Sequence, residues 1–309
     1  MSTETMTSRQ RILTAMRGGT PDTVPVQMGC MEMIPVRFSG RDFHDAFVHG
    51  KVDMDAVRLE VIRHFDFDGY IYAGLRSAGA NPNDRKEVRS ETVRDDGEYI
   101  VRRTTFATPG GELWEERTFP RDNSPTVTRG LIKSAEDFEL YLEYFFPPMG
   151  ETSDERIRRA RELLGDDGVV GGTAGLPGLH HLTDLFDGRL EAATYFAMDH
   201  DHLLDAYEAK MRESIVALVD RLLAARPDYV QLSASGMLTL STPAMVRRLS
   251  LPTLQAVTRL CRQADIPCEL HCCGKQAWIV ELCVNETELD SINPLQPPPM
   301  GDCDLADIK

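Results

Sequence analysis

A chain of 309 residues, 42% hydrophobic and 27% charged, has ordinary globular composition and room for one large domain or two small ones. Its net charge of −15 argues against a nucleic-acid binder, because neutralising phosphates takes clustered Lys and Arg. Met1 to Thr7 lack the apolar stretch of a signal peptide and no apolar run approaches the length of a membrane span, so the seven cysteines read as reduced and cytoplasmic, serving metal binding or burial.

Along the chain, Ser8 to Arg17 carries Ile12, Leu13 and Met16 at helical spacing and ends at Gly18-Gly19. Val24 to Met28 predicts a short buried strand, Val52 to Phe65 a helix, and Asp68 to Ala73 a strand. Glu98 to Thr105 and Glu112 to Thr118 are β-rich around Pro109-Gly110-Gly111, which predicts a β-hairpin insertion around 92–119. Helices follow at Ala135 to Tyr144 and Asp154 to Leu164, then a strand at Gly168 to Gly172 opening into a Gly-rich loop. Arg189 to Tyr195 and Asp201 to Ala225 are helical, Tyr229 to Ser233 a strand, and Pro252 to Ala264 a helix. Cys268 to Cys272 is a strand, Lys275 to Cys283 a helix, and Ser291 to Asn293 a strand.

This alternation predicts an α/β fold with parallel strands around Val26, Ile71, Val170, Gln231, Leu270 and Ile292. A closed (β/α)8 barrel of the TIM type needs two more strands. The expectation is therefore one barrel domain over 1–309, C-terminally incomplete and lacking its last two strand–helix units. Such an open barrel would expose strand edges, which favours a homo-oligomer.

The chemistry concentrates near residue 271. Strand side chains alternate, so Cys268, Leu270 and Cys272 share one face while Glu269, His271 and Cys273 share the other. A barrel interior is normally filled by branched apolar side chains, and Glu, His and Cys in succession serve something other than packing. His271 and Cys273 both reach one zinc at that spacing, at the C-terminal strand end where active sites of this fold sit. Burial of cysteine as a small hydrophobe is the competing reading. Glu269, one step deeper, is a ligand or an outer partner, and Cys303 is the nearest further cysteine.

Arg9 to Gly18 followed by Asp22-Thr23-Val24-Pro25-Val26, Phe67-Asp68-Gly69, Ser291-Ile292-Asn293-Pro294 and Gly301-Asp302-Cys303-Asp304-Leu305 together resemble uroporphyrinogen decarboxylase-like proteins over nearly the whole chain. Porphyrinogen decarboxylases of that superfamily carry an arginine tract after the first strand and an aspartate after the second. Here those stretches read Gln27 to Glu32 and Ala73-Gly74-Leu75, without either. The resemblance then points to the zinc-dependent branch that takes a methyl group from a methylated corrinoid protein. It implies zinc on His271 and Cys273, a further cysteine ligand beyond Lys309, a corrinoid carried by a partner protein, and a small-molecule methyl acceptor such as a thiol. A tetrapyrrole decarboxylase and a non-catalytic barrel that docks a corrinoid protein are the alternatives.

Gln231, Ser233 and Ser235, with Tyr229, share a strand face by alternation, as do Ser291 and Asn293, which makes Gln231, Ser233, Ser235 and Asn293 candidate substrate-binding groups. Gly171 to Gly175 would admit a bulky ligand close to the backbone. His180-His181 and His200-Asp201-His202 have metal-like spacing but read as surface residues.

Overall fold

Each run of β-branched and apolar residues between amphipathic helices pairs with the next one along the chain. In the computed structural model, which describes residues 5–27, 32–304 and 306, five strands hydrogen-bond in sequence order. They are Gly69–Tyr72, Gly168–Gly175, Tyr229–Ser233, Cys268–His271 and Ser291–Asn293, all parallel. Parallel neighbours need a crossover, and helices supply it. The longest, Asp201–Ala224, buries Leu204, Tyr207, Met211, Ile215, Val219 and Leu222, three and four residues apart, as one stripe against the sheet. The helix-facing side of the strands is fully apolar, with Ile71, Val170, Val230, Leu232, Cys268, Leu270 and Cys272 all essentially inaccessible.

The opposite face is apolar only at its N-terminal end. There Ile12 of the Ser8–Met16 helix packs on Val169 and Tyr229, with Tyr70 and Tyr72 beside them. Two arginines fasten this helix beneath the sheet through three ion pairs: Arg9 to the buried Asp228, and Arg11 to both Asp22 and Asp68. Asp228 also accepts from the Val170 N–H at 2.8 Å, so the same carboxylate joins helix, loop and strand.

Several expectations change. Residues 24–27 form no strand; Val24 and Val26 are 80% and 56% exposed. Pro25 has no N–H to donate, and Val26 donates its own N–H to the Asp68 side chain rather than to a neighbouring strand. Residues 28–31, and with them most of the stretch compared with the arginine tract, lie outside the described residues. Among the described residues the sheet has five strands and two edges, Gly69–Tyr72 and Ser291–Asn293, and no closed barrel is seen.

The expected hairpin is the centre of a larger antiparallel sheet, Glu87–Asp95, Tyr99–Thr108, Gly111–Pro120 and Thr126–Arg129. Its first strand is exposed at every position, so no apolar alternation announces it. Leu113 and Phe106 tie this sheet to the main core beside the Ala135–Tyr144 helix.

His180 and His181 are not surface residues. Leu179 and Leu182 draw the Leu179–Leu185 helix into the core, and His180 goes with them to 8% exposure. Its ring lies against Gly178, where an added Cβ would come within 2.6 Å. His181 Nδ1 is 2.7 Å from the hydroxyl of the buried Tyr207. His202 is exposed as expected, and His200 is half-buried against Phe196. Among the described residues, no helix is long and apolar enough to cross a membrane.

Candidate functional site

Register assembles the site in two layers on the inner face. Glu269 stands between Gln231 and Ser291, and His271 between Ser233 and Asn293. Because all three strands run parallel, the second layer lies nearer their C-terminal ends, where the chain turns out through Cys273 and Gly274. Gly274 adopts φ +92° with Thr239 packed against it, a position closed to any side chain.

His271 is held from both sides. Its Nδ1 is 2.7 Å from Asn293 Oδ1, and its Nε2 is 3.2 Å from Cys273 Sγ. An amide oxygen only accepts, so Nδ1 carries a proton, and in the neutral ring Nε2 then presents its lone pair to the cysteine. The Ser235 hydroxyl donates to the same sulfur at 3.8 Å. Beneath them Gln231 Nε2 donates to Glu269 Oε1 at 3.1 Å and to the Tyr72 hydroxyl. Burial pushes the Glu269 carboxyl above its ordinary range, opposed by hydrogen bonds from Asn293 and Gln231 and by His271. Burial also raises the Tyr72 hydroxyl, with the nearby Glu269 adding to the shift.

The cysteines divide by face. Cys272 points into the helix layer, where burial pushes its thiol up to about 12. Cys273 is half-buried, while the other described cysteines are buried. Cys303 is not grouped with His271 and Cys273 but has a partner of its own. Its thiol is buried and donates to Gln276 Oε1 at 3.9 Å, and burial raises its pKa. Among the described residues no group of three or more His, Cys, Asp or Glu is placed to hold a metal ion.

Of the expected substrate groups, Gln231 and Asn293 are engaged with Glu269, Tyr72 and His271. Ser235 touches Cys273, and Ser233 is exposed at the end of its strand. The Gly171-Gly172 space is already filled. A Cβ on Gly171 would meet the Tyr229 ring at 2.7 Å, and one on Gly172 would meet Pro227 at 3.1 Å; only Gly175 opens to free space in this run beyond Thr173 and Ala174. Tyr72 is the site residue that sequence reasoning passed over. Its alternation with Ile71 was visible, but its partner Gln231 is 159 residues away.

No protein-family model matches the chain, and no curated protein matches it. Among solved structures it is similar to a methyltransferase from Methanosarcina mazei. The two share 15% identity and a TM-score of 0.53, over 93% of this chain and 75% of that one. At that identity the likeness is one of fold.

Proposed function

We propose that this chain is a zinc-dependent methyltransferase, in which His271 and Cys273 hold zinc and a methyl group passes from a methylated corrinoid protein to a thiol or related small-molecule acceptor. The observation that carries the reading is the clamp on His271. Asn293 fixes the tautomer, and Nε2 and Cys273 Sγ meet 3.2 Å apart at the C-terminal end of the sheet. In a tetrahedral zinc site a nitrogen and a sulfur ligand stand roughly 3.5 Å apart, so a small opening of this pair accommodates the ion. A ligating histidine whose other nitrogen is held by a carbonyl oxygen is the usual outer arrangement of such sites. The fold likeness to a methyltransferase supports the same class.

Bound zinc would supply Lewis acidity that keeps an acceptor thiol deprotonated near neutral pH. The chain's own residues prepare the place. Asn293 keeps the His271 ring from rotating, and Ser235 steadies the Cys273 sulfur. Glu269, Gln231 and Tyr72 form a hydrogen-bonded floor, and Glu269 is the candidate for a further ligand or an outer partner. The inner face of the five strands carries no arginine, which disfavours a polycarboxylate porphyrinogen.

The test is metal content of purified protein, wild type against His271→Ala and Cys273→Ala, with methyl transfer from a methylcorrinoid to a thiol measured in parallel. One zinc per chain, lost in both variants together with transfer, is the expected result. A zinc-free protein with full transfer activity would overturn the reading.

A further inference from the structure

The segment Gly301-Asp302-Cys303 follows the last strand of the sheet, and its thiol does not join the His271 cluster. What it does instead converges on one buried side chain. Gln276 is completely inaccessible, three residues past Cys273. Its Nε2 donates to the backbone carbonyls of Cys272 and Pro294. Its Oε1 accepts from the Gln296 N–H at 3.0 Å and from the Cys303 thiol at 3.9 Å. Both donors and both acceptor positions of the amide are therefore used.

The surrounding contacts close the same loop pair. Gly274 donates its N–H to Gln296 Oε1 at 2.7 Å. Asp302 Oδ1 accepts from the Gln276 and Ala277 N–H groups at 2.6 and 3.0 Å, capping the Ala277–Glu286 helix from outside it. Gly301 passes so near that a Cβ there would lie 2.5 Å from the Gly274 carbonyl oxygen and 2.3 Å from that of Gln296. The two strand-end loops, one carrying Cys273 and the other following Asn293, are thus tied through one amide.

We infer that Gln276 is a positioning residue for the metal pair: by joining the Cys272 and Pro294 carbonyls it fixes the distance between the loop that bears Cys273 and the strand end that bears Asn293 and, through it, His271. The inference rests on the zinc reading of His271 and Cys273. A pure core residue would fill space, whereas this one holds four polar atoms of two loops, and neither Leu nor Glu can replace it. Leu lacks every hydrogen bond, and a carboxylate cannot donate to two carbonyls.

The experiment uses the full chain and the metal alone. Zinc affinity is measured by competition with a chromophoric chelator, and the thiolate-to-cobalt absorption is recorded after Co2+ substitution. Wild type, H271A, C273A, Q276L, Q276E and Q296A are compared, each with its metal-free thermal midpoint. Loss of an outer partner typically weakens metal binding by ~10–100-fold, which is the expectation for Q276L and Q276E, with a smaller loss in Q296A and a shifted cobalt spectrum. Q296A removes only the hold on Gly274 and tests the clasp even where a buried Gln276 variant fails to fold. If H271A and C273A abolish binding while the folded Gln276 variants and Q296A bind zinc within threefold of wild type and give its cobalt spectrum, the positioning role is overturned and the zinc site stands. If binding survives H271A and C273A unchanged, the zinc reading falls, and this role falls with it.

Discussion

His180→Leu is expected to flatten the acid sensitivity of this protein. His180 is 8% exposed, and its ring nitrogens find only a weak contact with the Leu176 backbone, which opposes the effect of burial. Burial lowers its pKa from 6.5 to about 4, with the adjacent His181 contributing in the same direction. The unfolded chain therefore takes up a proton near pH 6.5 that the folded chain refuses until about pH 4. The sign follows: the stability contribution is intact above 6.5 and is lost as pH falls toward 4. Over the whole interval the loss approaches ~3 kcal/mol, and at pH 5 it is already ~2 kcal/mol. Leucine has similar bulk and no titration, so the loss assigned to this ring should vanish while that of His181 remains in both proteins. At pH 7.5 H180L should be about as stable as wild type, since two poorly partnered buried nitrogens are removed. The assay is urea unfolding at pH 7.5, 6.5, 5.5 and 5.0. Stability curves of wild type and H180L that stay parallel across this range would refute the reasoning.

Asn293→Ala leaves the His271 ring without its Nδ1 partner and, on the proposed zinc reading of His271 and Cys273, should weaken zinc binding by ~10–100-fold in a chelator competition, with little change in far-ultraviolet circular dichroism. Gly171→Ala drives a methyl group into the Tyr229 ring and should cost ~1–3 kcal/mol in denaturant unfolding; the same change at the open Gly175 should cost less. Arg9→Ala leaves the buried Asp228 carboxylate with the Val170 N–H as its remaining polar contact here, and should lower stability by ~1–3 kcal/mol, with faster hydrogen exchange in the Ser8–Met16 helix.

Much of this protein is legible along the chain because the signals are local. The Asp201–Ala224 helix shows its stripe at three- and four-residue spacing, and the Cys268–His271 strand separates its two faces by simple alternation. Those patterns place Glu269, His271 and Cys273 inward and Cys268 and Cys272 outward before any fold is known. They fail where polarity hides the element, as in the uniformly exposed Glu87–Asp95 strand. They also fail where composition misleads, as at Val24 and Val26, whose neighbour Pro25 cannot pair. The histidines at 180 and 181 were misplaced for a related reason: a polar pair in a helix looks solvated until Gly178 and Tyr207 supply the space and the partner.

The sequence by itself determined the five parallel strands with the main helices between them, and which faces of the site strand point where, because periodicity belongs to the backbone. Tertiary structure alone decided the partners. That Asn293 rather than water holds His271, that Tyr72 meets Gln231 across the sheet, and that Cys303 binds Gln276 rather than joining the His271 cluster all depend on register between segments far apart in the chain. Register is set by the packing of the whole layer against its helices, and no local pattern carries it.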